Sequence, residues 1–212
     1  MPTADPSSRQ PAPPPSPLQA LKIIYWPDPR LIRISKPVER FDAALAALAN
    51  RMFELMREHK GVGLAAPQVG KNLRLFVMNP TADPAHDRVY VNPVLSDADG
   101  DEEAEEGCLS LPKININVFR SLTLRIRAQD LEGNAFEQVE TGYVARIWQH
   151  ETDHLNGILL LDRMGPAARI TYRKLLKDLK DQYDADHPPA PPRPAAVHAK
   201  PARKSAKRKS RS

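Results

Sequence analysis

From residue 45 the apolar positions fall three or four apart: Leu45, Leu48, Met52, Leu55 and Met56. That spacing lines one face of an amphipathic helix. Asp42 stands where an N-cap would, and Gly61 where the helix would stop. The pattern then changes period. Residues 73–78 and 89–95 are short apolar runs of strand type, and Leu122, Leu124 and Ile126 alternate with Thr123, Arg125 and Arg127 as a half-buried strand does. Glu132-Gly133-Asn134 supplies a turn into the next strand. The acidic run 97–106 has no such period and predicts a solvated loop, close enough to Cys108 to influence its potential.

Two more helices follow. Thr141 as N-cap and Gly157 just past the end bracket one of them. Projected at about 100° per residue, Tyr143, Ile147, His150 and His154 form a stripe, flanked by Val144, Trp148, Glu151 and Leu155. Arg146, Gln149, Thr152, Asp153 and Asn156 project to the opposite side. The last helix, over 166–183, puts Tyr172, Leu175, Leu176, Leu179 and Tyr183 on one face and lysines on the other. The prediction is an α+β single domain: mixed strands around a central helix, with a C-terminal helix outside.

The central helix carries the chemistry. His150-Glu151-Thr152-Asp153-His154 is an H-E-x-x-H pair, which sets two imidazoles one turn apart, about 6 Å along the axis and roughly 40° around it. Both can grip one metal ion while Glu151 reaches a water beside it. The same residues would also suit a core helix whose histidines bond carbonyls, so a third ligand is needed to decide. The single cysteine, Cys108, can form no intramolecular disulfide. It follows Gly107 and precedes Leu109 and Leu111 at period two, as on a strand edge. A thiolate with two imidazoles makes a three-ligand site with a fourth position open to water.

A third segment, 61–70, joins glycines that permit close backbone approach to one polar side chain, Gln68. No G-K-[ST] follows, which excludes a Walker-type phosphate loop. Taken together, 61–68 (G-V-G-L-A-A-P-Q), 106–110 (E-G-C-L-S) and 149–157 (Q-H-E-T-D-H-L-N-G) resemble the three motifs of peptide deformylase, in that family's order. The resemblance runs over 23–179 and includes Pro27-Asp28-Pro29-Arg30-Leu31 and Lys36-Pro37-Val38.

What the resemblance implies is a hydrolase of protein biosynthesis that removes the formyl group from the N-terminal formylmethionine of nascent chains, releasing formate. Carried over residue by residue, Cys108, His150 and His154 are the metal ligands and Glu151 the general acid and base. Gln68 and the Leu109 backbone N–H hold the formyl oxygen, and the backbone at Val62 and Gly63 pairs with the substrate peptide. The thiolate and imidazoles suit zinc or ferrous iron; the resemblance implies Fe2+ in cells, with Zn2+, Ni2+ and Co2+ as other usable ions. Lys113, where many members have glycine, and Phe119, where a proline is frequent, depart from the pattern. They bear on the substrate rim rather than on the ligands. Arg120 is expected to brace Glu106.

Composition divides the chain. Of 22 prolines, 13 lie in residues 1–18 and 185–212. Residues 1–18 predict a disordered extension, 19–184 the catalytic domain, and 185–212 a Pro-rich and then basic disordered tail. The extension has neither the apolar core of a secretory signal nor the arginines of a transit peptide, and no stretch approaches the roughly 18 apolar residues of a membrane span. The expectation is a bacterial cytoplasmic protein without a membrane partner. The net charge is +5, but the eight cations from Arg193 to Arg211 account for it: residues 1–192 alone carry −3. A tail of that kind favours a polyanion, and for an enzyme of nascent chains the ribosome and its RNA are the expected partner. Two alternatives remain at this stage, an H-E-x-x-H zinc peptidase and a non-enzymatic RNA- or ribosome-binding protein. The glycine loop and the cysteine strand speak against the first, and the complete acid–base and ligand set against the second.

Overall fold

Helix α1 (Ala43–Glu58) begins where Asp42 adopts extended backbone and accepts hydrogen bonds from the Ala44 and Leu45 N–H groups, each at 3.1 Å. Its apolar face, Leu45, Leu48, Met52, Leu55 and Met56, is buried as the spacing predicts. Its stop differs from the prediction. Lys60, not Gly61, takes the left-handed turn, with φ 57. The Lys60 N–H then donates to the Arg57 carbonyl at 3.0 Å and the Gly61 N–H to the Met56 carbonyl at 2.8 Å, the Schellman pattern. Glycine at 61 answers a packing demand instead, since a Cβ there would lie 2.7 Å from Leu109 Cδ1.

In this computed structural model, residues 17–81 and 83–188 are described. The expected N-terminal extension up to residue 16 and the tail from residue 189 lie outside them. Five strands follow α1: β1 (Gly63–Ala65), β2 (Leu75–Met78), β3 (Arg88–Cys108), β4 (Leu111–Gln129) and β5 (Ala135–Thr141). They pair in chain order, each antiparallel to the next, so that β1 and β5 are the edges. The α+β class holds. The acidic run does not form a loop: residues 97–106 belong to β3 and pair with β4, for instance Glu102 with Arg120 and Glu106 with Ile116. Its charges find cations on β4, Asp97 pairing with Arg125 and Glu106 with Arg120. Three register shifts, the last between Gly107 and Cys108, interrupt the ladder and re-aim the strand.

Helix α2 (Tyr143–Leu155) follows β5 and packs against β1, β2, β4 and β5. Thr141 is not its cap: it ends β5, its hydroxyl donating to the Leu122 carbonyl, and Gly142 with φ 63 makes the turn. The far end matches expectation. Gly157 is left-handed at φ 71, and the Ile158 N–H closes onto the Asp153 carbonyl at 2.9 Å. The projected polar side is corrected twice, because Arg146 and Thr152 are buried, while Tyr143 of the inward stripe is 56% exposed. A helix enclosed on most sides by a sheet and loops has too little solvent face to obey a two-sided pattern.

Helix α3 (Pro166–Asp186) lays Tyr172, Leu175, Leu176 and Leu179 against a cluster formed by Cys108, Leu111, Ile114, Ile116 and Val118. The Tyr172 hydroxyl accepts from the Asn115 N–H at 3.3 Å and donates to the Asn115 carbonyl at 2.8 Å, fastening α3 to the start of β4. Among the described residues no helix is long and apolar enough to cross a membrane.

Gly157 ties the end of α2 to the N-terminal segment. A Cβ there would meet the Ile32 carbonyl oxygen at 2.6 Å in a backbone that already has φ 71. Gly157→Ala is therefore expected to lower the unfolding free energy by about 1–3 kcal/mol, read as a lower urea midpoint; an unchanged midpoint rejects this account.

Candidate metal centre

Cys108 ends β3 immediately after the register shift, and α2 presents His150 and His154 toward it. One ligand atom from each of the three lies within 4.8 Å of the others, close enough to share one divalent ion. Cys108 Sγ is 3.3 Å from His154 Nε2, and the two imidazoles stand 5.1 Å apart at 70°. Cys108 is buried and in no disulfide. The donors are a soft thiol and two imidazoles, the set that suits zinc or ferrous iron. Three such donors on one ion would leave a fourth position, as metal sites that act on substrates require.

The orientation of His150 comes from behind. Its Nδ1 is 2.9 Å from Glu106 Oε2, which leaves Nε2 as the nitrogen available to an ion. Glu106 is gripped in turn by Arg120, Nε to Oε1 and Nη2 to Oε2 both at 2.9 Å, and by Arg146, Nη1 to Oε1 at 2.9 Å. The expected brace from Arg120 is therefore present. Burial opposes ionisation of Glu106, but the hydrogen bonds from Arg120 and His150 outweigh it and hold the carboxyl well below the usual carboxylate range. Arg120 also reaches Asp153 at 2.6 Å, which Arg163 holds from the other side. Burial keeps His154 far below the ordinary imidazole value, as the neutral form that ligates metal. Burial disfavours charge on His150 too, yet Cys108 and Glu106 raise it well above its ordinary value.

Glu151 has no such support. Its Oε2 is buried without a hydrogen-bond partner among the described residues, and burial pushes its carboxyl up to about 7. The backbone of β1 lies against it, so closely that a Cβ on Gly63 would overlap the carboxylate. Gln68 sits in the short turn Ala66–Val69 with its Oε1 accepting from the Ala65 N–H at 2.8 Å. Its amide nitrogen is thereby aimed at the site, 3.6 Å from Cys108 Sγ and 3.3 Å from Ser110 Oγ.

Cys108, Leu109, Val62, Gly63, Gln68, His150 and Glu151 all line one cleft of about 540 Å³, and His154 lies behind them, 1% exposed. Every site residue singled out from the sequence is thus in or against the same cavity. Arg146, which also lines it, was missed. It stands one turn before His150 on the same helix, and that spacing was the available signal. Ser110, beside Gln68, went unnoticed although it belongs to the E-G-C-L-S motif.

A carboxyl whose folded-state pKa is depressed contributes stability above its ordinary value and loses it as the pH falls through and below that range. Glu106 should make the native protein acid-sensitive in this way. The urea midpoint is expected to hold from pH 7 to about pH 5 and to fall as the pH is taken below about 4.5, and to fall less in Glu106→Gln; an equal fall in both proteins would mean that the acid sensitivity comes from elsewhere.

Residues 20–169 match the family model described as polypeptide deformylase. Peptide deformylase of Rhodopirellula baltica is 42% identical over 167 residues, covering 78% of this chain and 83% of that one. A plant peptide deformylase crystal structure superposes with a TM-score of 0.77 at 38% identity, covering 82% of this chain and 96% of its own. That of Legionella pneumophila superposes at 0.72 with 43% identity, covering 77% and 96%. The chain therefore belongs to the peptide deformylase family, metallohydrolases that take the formyl group off nascent polypeptides.

Proposed function

We propose that this chain hydrolyses the formyl group of N-terminal formylmethionine on nascent polypeptides, in the bacterial cytoplasm, with Cys108, His150 and His154 holding one Fe2+. Zn2+, Ni2+ or Co2+ are the other ions that this donor set would accept. The observation that carries the reading is that a Glu151 oxygen without a partner among the described residues and the fixed Gln68 amide line the same cleft as Cys108 and His150. When bound, the metal supplies Lewis acidity, which brings the pKa of a water it holds from about 15.7 towards ~7.

The rest is done by the chain. Glu151, poised near neutrality by its burial, takes the proton of the attacking water and returns it to the departing amine. Water oxygen bonds to the formyl carbon, the C–N bond breaks, and formate leaves. As the formyl oxygen gains negative charge, the Gln68 amide and the Leu109 N–H donate to it. Val62 and Gly63 lead into the edge strand of the sheet, where the substrate backbone can be added as a further strand.

Formate release from formyl-Met-Ala-Ser by anaerobically purified, iron-loaded protein tests the reading, and cleavage of the peptide without formate would point to a peptidase. Gln68→Ala should lower kcat about 10²–10³-fold with a much smaller change in KM. Glu151→Gln should retain its metal and lose turnover; full activity in that variant would remove Glu151 from the chemistry.

The tail supports a second contact, with the ribosome. Residues 193–211 hold eight Lys or Arg and no acid, a composition suited to phosphate backbones. Deleting 193–212 is expected to weaken co-sedimentation with ribosomes at low salt while formate release from the short peptide continues; unchanged sedimentation would defeat the tail's role.

A further inference from the structure

Lys60 and Lys113 both line the metal cleft, Lys60 at the end of α1 before β1, and Lys113 at the start of β4. Both are exposed. Among the described residues neither ammonium takes part in an ion pair or a side-chain hydrogen bond. Both also hold left-handed backbone, φ 57 and φ 66. The other non-glycine residues there, Asn92 and Asp97, are of types that tolerate it. Lysine is not, and glycine would satisfy the backbone better at either place. The lysine side chains therefore contribute something other than the turn.

The charge around them is unbalanced. Of the carboxylates lining the cleft, Glu106 is held by its arginines and Glu151 is buried. That leaves Glu105, whose Oε1 accepts from Asn115 Nδ2 at 3.3 Å. Two exposed ammoniums thus face one exposed carboxylate at the mouth. A formylated N-terminus has no ammonium of its own. The first charge that a substrate brings to this mouth is carried by a side chain downstream of the methionine.

Resting on the deformylase reading above, we propose that Lys60 and Lys113 are specificity-determining residues that favour formylated chains with Asp or Glu in the two residues after the formylmethionine. They act on the substrate's charge and not on the reacting atoms, so the preference resides in kcat/KM and weakens with salt.

The test compares C-terminally amidated formyl-Met-Glu-Glu, formyl-Met-Ala-Ser and formyl-Met-Lys-Lys by formate release at low ionic strength. The native enzyme should favour the acidic over the basic peptide by about tenfold, as two rim charges allow. The ratio should shrink toward one in a Lys60→Gln/Lys113→Gln double variant and in about 0.5 M salt, and fall below the native ratio in Lys113→Gly, which relaxes the backbone while removing the charge. A native ratio near one, or one that the variants leave unaltered, overturns the proposal. No formate from any of the three peptides, the neutral one included, instead defeats the deformylase reading and the proposal with it.

Discussion

A carboxylate sealed between two guanidiniums and an imidazole holds this molecule together at its centre. Glu106 comes from β3, Arg120 from β4, and Arg146 and His150 from α2. Taking such charges out of water is expensive, and only close, multiply bonded geometry offsets the cost. The reward is that one contact fixes two relations at once. The sheet is registered against the helix, and the ring of His150, a candidate metal ligand, is fixed in orientation through its Nδ1. Arg120 carries the same arrangement on to Asp153 and so to Arg163, just before α3.

Two carboxylates near the same imidazole have opposite fates. Glu106, bonded by two arginines, is kept ionised, whereas Glu151, with no partner at one oxygen among the described residues, is pushed toward the neutral form. The difference lies in partners rather than in burial, since both side chains are enclosed. An arrangement that drives neighbouring acids apart in this manner assigns one to holding and leaves the other free to exchange protons.

Much of this was legible from local pattern. The cap at Asp42, the faces of α1 and α3, the turn at Gly133 and the left-handed Gly157 are decided by residues within one or two turns of each other. The pairing of His150 with His154 in a candidate metal site was legible because the H-E-x-x-H spacing works through the helix alone. What escaped depends on distant partners. The acidic run reads as solvent-loving until it is set against Arg120 and Arg125, which lie 14 and 28 residues from the acids they pair with. Arg146 reads as the polar side of a helix until that side is found facing Glu106. Lys60 took the turn expected of Gly61 because the glycine was needed where Leu109 presses on it.

The double hydrogen bond between Tyr172 and Asn115 has a mechanical side. It clips the C-terminal helix to the strand that begins with one wall of the cleft, two residues beyond Lys113. The same helix also packs on Cys108, Leu111 and Ile114, so its seating and the placement of that wall are settled together.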